Sequence, residues 1–247
     1  MNKEQENKVI CGDCLVEMPK IPDKSVDMIL CDLPYGTTAC KWDTIIPFEP
    51  LWEQYKRVIK DNGAIVLTAS QPFTSALVMS NIKMFKYEWI WDKVRPSNPM
   101  LAKIQALKVH ENILVFGSGK IKYLPQDLLR TDKPRGGQSP STTELGFGKK
   151  AKEKYVQKFY GYPKSILRFG TDNSKNVHPT QKPVALFEYL IKTYTNEGDL
   201  VLDNCAGSGT AGVACTNLNR KFILIEKESK YCKIAQERID KTTNTLF

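Results

Sequence analysis

Two short segments, far apart in the chain, carry residue types that can do chemistry. The first, Asp32-Leu33-Pro34-Tyr35, closes the apolar run Val26 to Cys31. The second, Asp203-Asn204-Cys205-Ala206-Gly207-Ser208-Gly209-Thr210, closes the apolar run Leu200 to Leu202. The first suits an exocyclic amino group on a nucleobase. Such an amine is conjugated with its ring and is a poor nucleophile. Two acceptors aimed at its hydrogens, the Asp32 carboxylate and the Leu33 carbonyl, favour a tetrahedral nitrogen whose lone pair can attack an electrophilic methyl. The carboxylate also stabilises the positive charge that develops on nitrogen. Pro34 stiffens the turn, and Tyr35 offers a flat face for a base swung out of its helix. For the tetrapeptide taken alone, an ordinary Asp-x-Pro turn at a strand end is the better account.

The second segment suits a nucleoside-bearing cofactor. Gly207-Ser208-Gly209 follows a strand and opens a helix, where glycine lets backbone N–H groups approach a ligand closely. The spacing is not that of a phosphate-binding GxGxxG. Asp203 stands at the strand end, and Glu226 ends the next strand 23 residues later, where an acid commonly holds ribose hydroxyls. Glycine turn, strand-end acid and second acid together suit an adenosyl group without a pyrophosphate. Tight helix–strand packing explains Gly-x-Gly by itself equally well.

The elements that must position these residues follow from the apolar pattern. Candidate strands are Lys8 to Cys11, Val26 to Cys31, Ala64 to Thr68, Tyr87 to Trp91, Ile113 to Phe116, Leu200 to Leu202 and Lys221 to Ile225. Pro50 to Lys60, Ser75 to Met84, Pro183 to Thr195, Thr210 to Asn217 and Ser229 to Thr242 read as helices, with Pro183 as a first helical residue and Gly63 and Gly198 past helix ends. This alternation predicts an α/β fold, a mostly parallel sheet with helices on both faces. In such sheets ligands bind beyond the strands' carboxyl ends where the winding reverses, so both motifs meet if their strands are neighbours there.

The alternation breaks after Phe116 and resumes near His178. The chain is therefore read as a catalytic domain, 1–116 and 176–247, with 117–175 inserted. From Gly117 to Lys175 there are ten Lys and three Arg against two Glu and three Asp, nearly all of the chain's net charge of +9. Aromatics interleave with these charges, as phosphate contact and base stacking require. A solvated basic loop is the plainer alternative. Removing charge at Lys149, Lys150, Lys152 and Lys154 is expected to lower nucleic-acid affinity across sequences. Thr37 to Asp43 is a candidate for closing over a flipped base, although Lys41-Trp42-Asp43 can equally pack on the surface.

Composition excludes other classes. Seven cysteines without framework spacing point to a reducing, cytoplasmic setting, and Cys11-x-x-Cys14 lacks the second pair that a zinc site needs, so no metal is expected. The polar start of the chain does not read as a signal peptide. The uncharged run Asn62 to Ile82 holds Asn, Gln, Pro, Ser and Thr, so no membrane span is expected.

With these residues in hand, the chain resembles the amino-methyltransferase family that modifies DNA, from about Val9 to Ile239. Asp32-Leu33-Pro34-Tyr35 is similar to its catalytic D-P-P-Y motif, and Asp203 to Thr210 is similar to its AdoMet motif. The order of catalytic motif, insertion and cofactor motif resembles the β group. The resemblance implies a Rossmann-like AdoMet-dependent methyltransferase with circularly permuted motifs. It makes 117–175 the target-recognition region, double-stranded DNA the substrate and S-adenosyl-L-methionine the cofactor. His178-Pro179-Thr180-Gln181-Lys182-Pro183 resembles the segment lining the methionine end of AdoMet, which implicates Thr180 and Lys182. Cys11-Gly12-Asp13-Cys14-Leu15 resembles the segment whose Asp, here Asp13, lies near the adenine. Implied cofactor residues are thus Asp13, Thr180, Lys182, Asp203, Cys205, Ala206, Gly207, Gly209, Thr210 and Glu226. A homodimer and a cognate restriction endonuclease are candidate partners by the same likeness.

Two departures stand out. Leu33 replaces the first proline, so the turn is less rigid. Asn204-Cys205 stands where Pro-Phe is common, so a packing contact beside AdoMet is expected to be lost. An aspartate opening the motif favours N6 of adenine over N4 of cytosine by resemblance. The residues themselves leave open cytosine, RNA, a protein amide, or an inactive module that only binds DNA.

Overall fold

A computed structural model of the chain describes residues 6–37, 43–137, 155–170 and 181–246. The chain divides into two compact units, Met1–Leu124 with Ser165–Phe247, and Pro125–Lys164. The first holds an eight-stranded sheet of β1 (Lys8–Cys11), β2 (Val26–Asp32), β3 (Ile59–Ala69), β4 (Phe85–Asp92), β5 (His110–Phe116), β8 (Ile166–Arg168), β9 (Leu200–Asp203) and β10 (Lys221–Glu226). Its order is β1-β10-β9-β2-β3-β5-β4-β8. All neighbouring pairs are parallel except those made by β5, which runs antiparallel to β3 and β4. The connection from Lys93 to Val109 returns the chain antiparallel beside β4, so β5 starts where β3 ends.

Alternation along the strands divides the core between two faces. Ile29, Cys31, Ile65, Leu67, Leu202 and Ile225 point to one side, with Cys14 of α1 (Cys14–Glu17), Leu51, Trp52 and Tyr55 of α2 (Phe48–Val58), and Phe73 and Leu77 of α3 (Phe73–Ser80). Met28, Leu30, Val66, Val201 and Leu224 point to the other. There they meet Leu186, Phe187 and Leu190 of α4 (Val184–Tyr194), Ala211 and Ala214 of α5 (Thr210–Asn217), and Ile239 of α6 (Ser229–Leu246). Central strands buried on both faces read as unbroken apolar runs, which is why β2 and β9 stand out in the sequence.

The winding reverses between β9 and β2, which pair directly through Met28↔Val201 and Ile29↔Leu202. From β9 the chain proceeds outward to β10, and from β2 to β3 on the opposite side. Three strands run one residue further than the apolar pattern indicates. Asp32, Asp203 and Glu226 are each the last residue of a strand, so the ladder holds the backbone of all three acids.

Other boundaries differ for local reasons. Gly63 does not follow a helix end but lies inside β3, which starts directly after Val58. A Cβ there would sit 2.7 Å from Ile59 Cδ1 and 2.8 Å from the Asp27 carbonyl, next to a register shift in the β2–β3 pairing. Pro183 is the cap before α4 rather than its first residue. The helix expected from Ser75 to Met84 lies at Phe73–Ser80. Residues 117–124 and 165–170 belong to the first unit, and β8 pairs with β4.

The second unit contains an antiparallel pair, β6 (Leu129–Gly137) and β7 (Tyr155–Tyr160). It exposes Phe159, Tyr160 and Tyr162, together with Arg130, Lys158 and Lys164. Lys149, Lys150, Lys152 and Lys154 lie outside the described residues.

Candidate active site

At the carboxyl ends of β2, β9 and β10 the first unit encloses a cavity of about 890 Å³. Its walls include Asp13, Asp32, Leu33, Pro34, Tyr35, Lys182, Asp203, Cys205, Ala206, Gly207, Thr210 and Glu226. One cavity therefore brings together the expected catalytic segment and most of the expected cofactor segment. Gly209 is not among the wall residues, although Ser208 and Thr210 on either side of it are, and Thr180, with His178 and Pro179, lies outside the described residues. Among the described residues no group of three or more His, Cys, Asp or Glu is arranged to hold a metal ion. Cys11, Cys14, Cys31, Cys205, Cys215 and Cys232 are free thiols.

Asp32 is held by donors on both oxygens. Oδ1 accepts from the Tyr35 hydroxyl at 2.8 Å and from the Thr68 hydroxyl, and Oδ2 accepts from Lys182 Nζ at 2.6 Å. Strand pairing places Thr68 directly beside Asp32 on β3. Tyr35 is oriented by its own partners: its ring stacks on Phe73 at 5.2 Å, and Lys182 Nζ lies 5.8 Å from the ring centre. Burial, then the charge of Asp32, pushes the Tyr35 phenol well above its ordinary value, so it acts as a hydrogen-bond donor. The resemblance puts Lys182 beside the cofactor. In the structure Lys182 lines the cavity, and its ammonium bonds the Asp32 carboxylate. Burial disfavours that ammonium, but Asp32 and Glu111 outweigh it and raise the Lys182 pKa.

Sequence reasoning missed Thr68, Lys93 and Glu111. Lys93 Nζ bonds Glu111 Oε1 at 2.6 Å, and Glu111 Oε2 lies 3.5 Å from Lys182 Nζ. The available signal was a charged residue just outside each of two aromatic or apolar runs, Lys93 after Trp89-Ile90-Trp91 and Glu111 before Ile113-Leu114-Val115. Only the antiparallel pairing shows that these residues lie at the carboxyl end of β3, on the side of the sheet where Asp32 ends β2. Asp43 accepts from the amides of Gly36 and Thr37 at 2.8 and 2.9 Å, closing the loop after the tetrapeptide. Lys41 and Trp42 lie outside the described residues.

On the other wall, Glu226 spans two turns. Its Oε2 accepts from the Gly207 amide at 2.7 Å and its Oε1 from the Glu228 amide at 2.8 Å. Burial raises its pKa, opposed by backbone amides of Glu228, Gly207 and Lys227. Each oxygen keeps a further lone pair for a hydroxyl donor. Asp203 Oδ1 accepts from the Cys205 amide at 3.1 Å, and burial pushes the Asp203 carboxyl up to about 7. Asp13 caps α1 through the Leu15 amide at 2.9 Å and pairs with Lys227 at 3.2 Å. Tyr55 on α2 donates to Asn204 Oδ1 at 2.5 Å, beneath the glycine turn.

The two glycines divide their work. Gly207 adopts φ +52° where its amide meets Glu226. Gly209 has φ +78°, and a Cβ there would lie 2.7 Å from Ala235 Cβ on α6, so packing alone demands it. Arg238 fixes the residue between them, donating to the Ser208 carbonyl at 2.6 Å.

Residues 26–237 match the family described as DNA methylase, of the N6/N4 methyltransferase type. The chain is 33% identical over 251 residues to DNA adenine methyltransferase YhdJ of Escherichia coli strain K12, covering 94% of this chain and 82% of that protein. It is 29% identical to type II methyltransferase M.HpaI of Haemophilus parainfluenzae, covering 97% of this chain and 76% of that protein. Its structure is similar to the crystal structure of the M1.HpyAVI–SAM complex, with TM-score 0.63 and 26% identity over 94% of this chain and 98% of that one.

Proposed function

The chain belongs to the N6/N4 DNA methylase family, and from that premise we propose that it transfers a methyl group from S-adenosyl-L-methionine to the N6 amine of adenine in DNA. The observation carrying this reading is the direct pairing of β2 with β9, which opens Asp32 and the Gly207 turn into one cavity. The cavity fits the cofactor on its own features. Glu226 is a buried carboxylate at the cavity wall with lone pairs to spare for ribose hydroxyls, and Gly207 lets the wall turn closely past a ligand. When bound, AdoMet supplies an electrophilic sulfonium methyl.

The protein's part in the reaction is positional and electrostatic. Asp32 accepts a hydrogen bond from the target amine, with the Leu33 carbonyl as second acceptor, and so orients the nitrogen lone pair. Its negative charge is preorganised by Tyr35 and Thr68 and stabilises the cationic nitrogen as it forms. Tyr35, backed by Phe73, bounds the space for an extruded base. The second unit, with exposed aromatics beside basic side chains, is the proposed DNA-contacting element. Among the described residues no helix is long and apolar enough to cross a membrane.

Adenine is preferred because YhdJ, named as an adenine methyltransferase, is a relative along nearly the whole chain. Incubation with unmethylated DNA and isotopically labelled AdoMet, followed by digestion to nucleosides, tests the reading. Labelled 6-methyladenine is expected. Labelled 4-methylcytosine would correct the base, and DNA without label would overturn the activity.

A further inference from the structure

Four charged side chains form a row in the cavity wall: Lys93, Glu111, Lys182 and Asp32. The contacts along it are 2.6 Å between Lys93 Nζ and Glu111 Oε1, 3.5 Å between Glu111 Oε2 and Lys182 Nζ, and 2.6 Å between Lys182 Nζ and Asp32 Oδ2. The inner two are 12% and 7% exposed at the side chain. Glu111 Oε2 is the one buried side-chain polar atom without a hydrogen bond among the described residues. A carboxylate oxygen left so is costly and calls for a donor.

We propose that Glu111 is a positioning residue for methyl transfer, serving as the second seat of the Lys182 ammonium when the target amine arrives on Asp32. This rests on the reading of Asp32 as the acceptor for that amine. In the structure Asp32 already holds three donors, from Tyr35, Thr68 and Lys182. An arriving amine adds a fourth, and its nitrogen turns cationic as the methyl is transferred. An ammonium bonded to the same carboxylate opposes both events by crowding and by like charge. A shift of Lys182 by less than about 1 Å brings it within hydrogen-bond distance of Glu111 Oε2 and lengthens its bond to Asp32 Oδ2. The move turns the long ion pair at Glu111 Oε2 into a hydrogen bond and frees Asp32 for the amine.

Lys93 makes the second seat stable. Its bond to Oε1 fixes the Glu111 carboxylate, so Oε2 stays near Lys182. Lys182 moves as a cation, because Asp32 and Glu111 together hold it protonated against the effect of burial.

The test is a double-mutant cycle on single-turnover methyl transfer to DNA, with wild type, Glu111→Gln, Lys182→Gln and the pair. Glu111→Gln is expected to slow transfer by about 10–100-fold, the range of a misplaced electrostatic partner, with AdoMet and DNA dissociation constants within about twofold of wild type. In the Lys182→Gln background, Glu111→Gln is expected to cost little more, because Glu111 acts through Lys182. Glu111→Asp keeps the charge but draws the carboxylate back from Lys182 and Lys93. It stands in if the glutamine variant does not fold, and the same coupling is expected. Wild-type transfer rates in both Glu111 variants, or losses that add in full to that of Lys182→Gln, overturn the proposal. Wild type that labels DNA while the Glu111 variants match it overturns this role alone. Wild type that leaves DNA unlabelled overturns the function reading together with it.

Discussion

The Gly207 amide donates to Glu226 Oε2 at 2.7 Å, so the turn after β9 and the end of β10 form one continuous wall. The same carboxylate takes the Glu228 amide on its other oxygen. Glu226 thus shapes the wall and leaves lone pairs facing the cavity. Glu226→Gln is expected to weaken AdoMet binding by about tenfold to a hundredfold, the scale of losing a charged hydrogen-bond partner. DNA affinity should be unchanged. Calorimetric titration with AdoMet checks this, and unaltered AdoMet affinity would rule out the cofactor role.

Asp32→Ala removes the acceptor at the tip of β2. Transfer should fall by at least about 10²–10³-fold, as when a preorganised electrostatic partner is lost. AdoMet and DNA binding should survive. Near-normal turnover would sink the mechanism. Tyr35→Phe removes one of two hydroxyls on Oδ1 and keeps the ring on Phe73. A smaller loss is expected there, about tenfold.

Asp203 sets a pH dependence. Its carboxyl is pushed up to about 7 by burial in the fold, against about 3.9 in an unfolded chain. Between those values the folded protein keeps a proton that the unfolded chain releases. Stability from this group is therefore full below about pH 4 and is lost as pH rises to about 7, amounting to about 4 kcal/mol at most. Asp203→Asn removes the slope. Its melting temperature should rise relative to wild type as pH goes from about 4 to about 7, and the difference should level off above that. A difference that stays constant with pH would contradict the assignment.

Tyr55→Phe leaves Asn204 Oδ1 buried without its donor. A loss of roughly 1–3 kcal/mol is expected, read as a melting temperature several degrees lower. An unchanged melting temperature would show that the turn readily finds another donor.

DNA affinity should fall steeply with salt, each neutralised phosphate adding about −0.9 to the slope of log affinity against log salt. Arg130→Ala or Lys158→Ala should reduce that slope by about one each. Tyr160→Ala or Tyr162→Ala should weaken binding while leaving the slope unchanged. Affinity insensitive to all four would remove the second unit from the DNA contact.

The strands bearing Asp32, Asp203 and Glu226 were legible because buried central strands write continuous apolar runs, and a polar residue ends each run where the strand leaves the core. The tetrapeptide, the glycine turn and the second acid could be named from local pattern for the same reason. Whether they meet was not local information. It depends on β9 pairing with β2, two strands separated by most of the chain, and non-local pairing leaves no periodic trace in either strand. Lys182, Thr68 and Glu111 show the same limit. Lys182 was placed by resemblance beside the cofactor, and folding brings it to Asp32, 150 residues away. Thr68 reaches Asp32 through strand register, and Glu111 reaches Lys182 because β5 reverses direction in an otherwise parallel sheet. Residue type and strand period determined which groups stand at the strand ends. Strand order and direction, which arise only when distant segments pack, decided which charges face one another.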